Sequence, residues 1–237
     1  MPRKYINYKE NPQWDDPKKV ESRIQTIILP GRRLYGKSIP KDKQYWTLCG
    51  QHWKKDETGK ITKAEGEFGQ IIKSKLITKD QFYGVDRDEN TIKLNKQFYP
   101  NVNWYCGDFK GTMSNASIEG TFNPAIINFD STTGIEWGIS YLKPLLMFID
   151  YNVNDKLLLL VNLLFKNPYR KDKEHEGTEM IERLKKRYLF PDHWSVSKRY
   201  YRYLGTGDRS HSIMGTIAFV KKAHEKITIT KNRNLFE

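Results

Sequence analysis

The chain has 237 residues, enough for one α/β domain with a substantial core, or for one domain with extensions. An apolar fraction of 38%, with six Trp, fourteen Tyr and eleven Phe, excludes a disordered chain, and no run of about eighteen apolar residues offers a membrane span. The formal charge of +13 is segregated: residues 1–43 hold eleven Lys and Arg against five acids, residues 44–165 thirteen against fourteen, and residues 166–237 seventeen against nine. Two basic flanks around a near-neutral middle point to an anionic partner, nucleic acid first and an acidic protein surface second.

The N-terminus, MPRKYINYKENPQW, lacks the apolar core of a signal peptide. Cys49 and Cys106 form neither a metal-ligand spacing nor a disulfide framework, so no metal site is expected and both thiols read as small buried residues. These features together predict a cytoplasmic, reducing compartment.

Residues 1–43 read as a basic extension and 44–237 as the α/β domain. Pro2, Pro12, Pro17, Pro30 and Pro40 interrupt the extension, and apolar spacing predicts one short helix from Pro17 to about Ile28. Gly31–Ser38, GRRLYGKS, has the composition either of a phosphate-contacting arm or of a solvated linker. Tyr45 to Gly50 is the first predicted strand, followed by Gln51-His52-Trp53, a polar insertion and a helix from about Glu65 to Leu76.

From Gln81 to Phe109 the pattern is strand, turn, helix, turn, strand. Phe82–Val85 closes on Asp86, Asp88 and Glu89 suit a helix N-terminus, Pro100 stops that helix, and Val102, Trp104 and Cys106 alternate into Gly107-Asp108-Phe109. Two strands joined by a helix run parallel with a right-handed crossover, which brings Asp86 and Asp108 to the carboxyl edge of one sheet, where open α/β sheets bind ligands. Pro124–Asp130 is the fourth strand, with Ser131–Gly134 as a loop and a helix from about Ile135 to Ile149. Lys156–Phe165, KLLLLVNLLF, has the continuous apolar character of a central strand. Lys173–Leu189 reads as an amphipathic helix, and Trp194–Leu204 with Ser212–Val220 as an antiparallel hairpin. Within it, Lys198–Tyr203 alternates bases with aromatics, as expected of a base-stacking surface or of a strand with one wet face.

The strand-end acids, with a glycine closing the first strand, resemble class I S-adenosylmethionine-dependent methyltransferases. The resemblance covers about residues 45–220 and implies a three-layer, Rossmann-like α/β fold, with a seven-stranded, mostly parallel sheet and a C-terminal antiparallel hairpin. It further implies S-adenosylmethionine as cofactor, held by Cys49, Gly50 and Gln51 after the first strand, by Asp86 and Arg87 after the second, and by Gly107, Asp108 and Phe109 after the third. Asp86 takes the ribose hydroxyls in this scheme, and Asp108 with Phe109 takes the adenine. Glu65 and Glu67 either cap their helix or meet the cofactor's ammonium group. Asp130 and, after the fifth strand, Lys166 are the implied catalytic positions, and the basic flanks make nucleic acid the expected substrate; the alternative for Asp130 is to cap the helix near Gly134 or to hydrogen-bond Thr132 and Thr133 in a tight turn.

Two departures stand against this pattern. The second and third glycines of the cofactor turn are missing, and Asp130-Ser-Thr-Thr stands where amino-methyltransferases carry an acid, Asn or Ser before Pro-Pro-aromatic. A second reading is therefore a non-catalytic relative that binds nucleic acid or protein. A third is a nucleotide-binding enzyme of the dehydrogenase type, against which the closing hairpin and the absent Gly-rich fingerprint both count.

Overall fold

A computed structural model describes residues 17–165, 193–196, 201–204 and 213–223. The N-terminal helical segment runs as α1 (Pro17–Arg23), a π-helical turn (Ile24–Ile28) and α2 (Leu29–Tyr35). Pro30 has no N–H to extend an α ladder, and the chain widens just before it, the Leu29 N–H donating to the Ile24 carbonyl. The helical segment thus passes through Pro30 and ends at Tyr35, beyond the predicted Ile28. Gly31–Tyr35 is helix rather than a solvated linker: Gly31 is buried against Leu76 and Ile126, and the Tyr35 hydroxyl lies 2.9 and 2.7 Å from the carbonyls of Ala125 and Lys156. Apolar contact with the sheet overrides the breaker composition.

The remaining elements in chain order are β1 (Gln44–Leu48), β2 (Trp53–Lys55), β3 (Ile61–Lys63), α3 (Gly66–Lys73), β4 (Phe82–Asp86), α4 (Glu89–Phe98), β5 (Asn103–Cys106), α5 (Phe109–Ile118), β6 (Pro124–Gly134), α6 (Ile135–Asn152), β7 (Leu157–Phe165), β8 (Trp194–Val196), β9 (Tyr201–Leu204) and β10 (Ile213–Lys221). The main sheet has the order β5-β4-β1-β6-β7-β10-β8, with β9 also paired to β10. The pairs from β5 to β7 are all parallel, and β10 is antiparallel to β7, β8 and β9. Because β7 occupies one side of β10 along its whole length, β8 and β9 share the other and form two pieces of one edge position. Among the described residues that makes seven positions, with the last of these strands, β10, inserted antiparallel between the fifth and sixth.

Helices cover both faces. Ile27, Phe68, Ile71, Leu76 and Ile92 pack with Tyr45, Phe82, Trp104, Ile126 and Leu158 on the face of α1–α4. Phe109, Met113, Leu142, Leu145 and Ile149 pack with Trp46, Val85, Ile127, Phe129 and Phe219 on the face of α5 and α6. Leu157–Val161 is at most 1% exposed, as a strand covered on both faces requires. Gly84 admits the close approach of Trp104, since a Cβ there would sit 2.5 Å from its ring.

Three further expectations change. The polar insertion after β1 is an ordered hairpin, β2–β3, paired from Trp53↔Lys63 to Lys55↔Ile61. Strand β6 continues through Ser131–Gly134 into α6, so no loop separates them and Asp130 lies four residues before the strand's end. Cys106 is exposed, whereas Cys49 is buried as expected. The predicted helix at Lys173–Leu189 lies outside the described residues. Among the described residues no helix is long and apolar enough to cross a membrane.

Candidate functional site at the carboxyl edge of the sheet

The parallel strands deliver three turns to one edge in register. Leu48 pairs with Val85 and Asp86 with Cys106. Beyond the strands, the Cys49 N–H donates to the Val85 carbonyl at 3.0 Å and the Gly107 N–H to the Asp86 carbonyl at 2.9 Å. Cys49-Gly50, Asp86-Arg87 and Gly107-Asp108 therefore form adjacent corners of one edge.

Gly50 has φ 54°, a left-handed conformation that a β-carbon disfavours. In place of further glycines, Asn95 of α4 supports the turn. Its Nδ2 donates to the Gly50 carbonyl at 2.9 Å, and its Oδ1 accepts the His52 N–H at 2.9 Å. Gln51 and His52 are buried, and His52 sits among the rings of Phe68, Phe82, Tyr99 and Trp104. Burial lowers its pKa to about 4, so the imidazole is neutral at pH 7. Burial, then the nearby charges of Asp86 and Glu67, push the Cys49 thiol well up, which makes it a poor nucleophile.

Asp86 is half-buried, and its Oδ1 accepts the Asp88 N–H at 2.8 Å. Asp88 caps α4 by accepting from Asn90 and Thr91. Asp108 caps α5, accepting the Gly111 N–H at 3.0 Å, and its other oxygen pairs with Arg87. Burial pushes the Asp108 carboxyl up, but the Arg87 hydrogen bond, the Gly111 N–H and the Arg87 charge together hold it below the usual carboxylate range. Phe109 is 2% exposed and packs on Phe129, so its ring belongs to the core and only its backbone faces the edge.

A row of polar side chains crosses the α1–α4 face below this edge. The Thr216 hydroxyl donates to Asn162 Oδ1, Asn162 Nδ2 to Asn128 Oδ1 at 2.9 Å, and Asn128 Nδ2 to Glu67 Oε2 at 3.0 Å. The Tyr45 hydroxyl donates to Glu67 Oε1 at 2.6 Å. Asp130 pairs with Asn162 across β6 and β7, at the outer side of this row. In the backbone register Asp130 is a sheet residue five positions ahead of α6, which removes the helix-cap alternative. Sequence reading missed Asn95, Glu67's buried hydrogen bonds and the row through Asn128, Asn162 and Thr216. A signal existed for two of them, since Asn128 and Asn162 interrupt otherwise apolar strands. Glu65 pairs with Lys73 on the surface, away from this row. Lys166 lies outside the described residues, as do Lys198, Arg199 and Tyr200.

Seven sheet positions, parallel from β5 to β7 with the last strand inserted antiparallel, match the implied arrangement. The fold is that of the class I methyltransferases. No family model and no curated protein sequence matches the chain. Among solved structures it is similar to an O-methyltransferase from Bacillus cereus in complex with SAH, at 11% identity over 86% of this chain and 90% of that one, with a TM-score of 0.47. It is also similar to the plantazolicin methyltransferase BpumL, in complex with a monoazolic desmethylPZN analog and SAH, at 13% identity, 86% and 84% coverage and a TM-score of 0.45. A third is a TehB-like SAM-dependent methyltransferase from Corynebacterium glutamicum, at 15% identity, 87% and 100% coverage and a TM-score of 0.37. These are likenesses of outline, and the functional reading below rests on the chain's own residues.

Proposed function

We propose that the chain is an S-adenosylmethionine-dependent methyltransferase acting on nucleic acid. The observation that carries the cofactor reading is the registered row of Gly50, Asp86 and Asp108 at three adjacent strand ends. Its donor set fits the cofactor chemically. A carboxylate has about four acceptor positions, so Asp86 can accept ribose hydroxyls while it also accepts the Asp88 N–H. Asp108 accepts the adenine amino group, and the Phe109 N–H, in the first turn of α5, suits a ring nitrogen. Cys49, Gly50 and Gln51 hold the amino-acid end through their backbone. Arg87 must release one Asp108 oxygen for the adenine to settle, and as an exposed side chain it does so at low cost.

When bound, S-adenosylmethionine supplies a methyl group made electrophilic by the adjacent sulfonium. The chain's part is to hold the acceptor in line, where proximity is worth several powers of ten, with Asp130 orienting the acceptor atom and taking its proton. Lys166 is the second candidate at that end. Support for nucleic acid as the acceptor comes from the basic flanks at 1–43 and 166–237. The test is calorimetric titration of the purified chain with S-adenosylmethionine and S-adenosylhomocysteine, followed by transfer of a labelled methyl group to single- and double-stranded oligonucleotides. Binding of both ligands with transfer supports the full reading; transfer to small molecules alone would overturn the substrate.

One observation favours a second reading, a binding protein without turnover. Gln51 and His52 fill the place of the missing glycines with buried side chains, and Asp108 already uses both oxygens on Gly111 and Arg87. Absence of any heat with either ligand would select it.

A further inference from the structure

Six large apolar side chains stand exposed among the described residues, and the three most exposed lie together: Ile118 at 85%, Met147 at 64% and Tyr151 at 88%. Helix α5 buries Phe109, Met113 and Ala116, so Ile118, about half a turn round from them, faces outward. Helix α6 buries Leu142, Leu145, Leu146 and Ile149, which turns Met147 and Tyr151 to solvent as neighbours one helical turn apart. The ends of the two helices are tied, since Ser117 Oγ lies 2.5 Å from Asn152 Oδ1 and the Phe122 and Phe148 ring centroids are 5.4 Å apart. Ile118 follows Ser117 and Tyr151 precedes Asn152, so the tie sets all three apolar side chains on one outer surface.

This layer is also poor in charge. Phe109–Ile118 and residues 141–152 carry three charged side chains in twenty-two residues, Lys110, Lys143 and Asp150, whereas charged residues are 29% of the whole chain. Depletion of charge around exposed Met and Tyr is the composition of the centre of a protein–protein interface rather than of a solvated helix pair. The charges that remain suit a copy of the same surface. Lys143 is exposed, makes no ion pair among the described residues, and lies on the same side of α6 as Asp150, two turns on. Antiparallel pairing with α6 of a second copy, about a twofold axis at Met147, sets Lys143 opposite Tyr151 and beside Asp150 of that copy, and does so twice. A lysine then meets an aromatic face and a carboxylate, and no like charges oppose each other. An 18-residue helix is about 27 Å long and two helices side by side about 20 Å wide, a footprint of roughly 500 Å² per copy. That area is in the range of weak, reversible association.

We propose that the outer face of α5 and α6 is a homodimer interface, in which α6 packs antiparallel on α6 of a second copy about a twofold axis at Met147. The contact is isologous: Met147 meets its own counterpart, Tyr151 meets Lys143 at both ends, and Ile118 widens the apolar surface. The end of α6 that carries Tyr151 lies at the amino edge of the sheet. Its neighbour Asp150 accepts from Trp194 Nε1, and Trp194 pairs with Lys221, which pairs on its other side with Leu157 at the start of β7. The dimer leaves the Gly50 turn and the α1–α4 face uncovered, and the proposal stands apart from the methyltransferase reading.

The experiment is sedimentation velocity of the full chain from about 1 to 200 µM, with wild type, Met147→Glu, Tyr151→Glu, Lys143→Glu and, as a control on the opposite layer, Ile24→Glu. Wild type should pass from monomer to dimer across this range. Met147→Glu and Tyr151→Glu should each weaken the dimer by about tenfold or more, Lys143→Glu severalfold, and Ile24→Glu by less than about twofold. All four positions are exposed, so melting within a few degrees of wild type checks that each variant keeps its fold. The pairing geometry is tested by Met147→Cys in a Cys106→Ser background. Residues beside a twofold axis come within disulfide reach of each other, so mild oxidation should link two copies, whereas Ile24→Cys in the same background should not link. Wild type that stays monomeric up to about 200 µM overturns the dimer. So does a dimer that Met147→Glu and Tyr151→Glu leave within about twofold of wild type, because its contact then lies elsewhere. A dimer lost in both variants but not linked through Met147→Cys overturns the twofold pairing of α6.

Discussion

The carboxamide of Asn95 grips the turn after β1 from both sides, donating to the Gly50 carbonyl and accepting the His52 N–H, each at 2.9 Å. Only a side chain with one donor and one acceptor at that length does both. Asn95→Ala orphans the buried His52 N–H and the part-buried Gly50 carbonyl, at about 1–3 kcal/mol for a buried group and less for the other. The melting temperature should fall by roughly 6–12 °C for a loss of about 3 kcal/mol in a chain of this size. Asn95→Asp should do no better, because a carboxylate faces the Gly50 carbonyl without a donor. A variant melting within 2 °C of wild type, read by circular dichroism at about that resolution, would show that the turn holds itself.

Asp86→Ala removes the acceptor proposed for the ribose. Loss of a bidentate charged hydrogen bond costs about 2–3 kcal/mol, hence a thirty- to hundredfold weaker S-adenosylmethionine titration. Losing the charge-assisted Asp88 N–H bond costs about 1.5–3 kcal/mol, so melting should drop by roughly 3–12 °C. Unchanged affinity would move the ribose elsewhere.

Arg87 and the adenine compete for Asp108 in the proposed pocket. Arg87→Ala should leave cofactor affinity equal to or a few-fold above wild type, whereas Asp108→Asn should lower it modestly. A large loss in Arg87→Ala would give Arg87 a direct contact with the cofactor.

Asp130 lies beside Asn162 in the sheet, too far ahead of α6 to cap it. In its proposed role of holding and deprotonating the acceptor, Asp130→Asn should cut single-turnover methyl transfer by about 10²–10⁴ while titrations with S-adenosylmethionine stay unchanged. Wild-type turnover in this variant would shift the chemistry to Lys166.

His52 links stability to pH. Its folded pKa of about 4 lies below the ordinary value of 6.5, so the unfolded chain takes up the proton first as pH falls. Its contribution is fully present above pH 6.5 and declines by up to about 3 kcal/mol on descending to pH 4. Wild type should melt lower at pH 5 than at pH 7.5, and His52→Gln, though less stable throughout, should lose most of that slope. Parallel slopes in the two proteins would assign the pH dependence to carboxylates.

Alternation, turn residues and apolar runs determined by themselves that this is a parallel α/β chain closed by an antiparallel hairpin, and they placed Asp86 and Asp108 at neighbouring strand ends. Those features are local: period-2 and period-3.6 patterns, strand-terminal acids and the connection rule for parallel strands. What only the tertiary structure decided are relationships between distant segments. Asn95 reaches the Gly50 turn across 45 residues, and Asn162 reaches Asn128 across 34. Gly31–Tyr35 became helix because the sheet offered it apolar contact, and Asp130 fell inside a strand because pairing with β7 extended β6 beyond its apolar run. A pattern read along one segment cannot report these, because each depends on which partner the rest of the chain brings within hydrogen-bonding or packing distance.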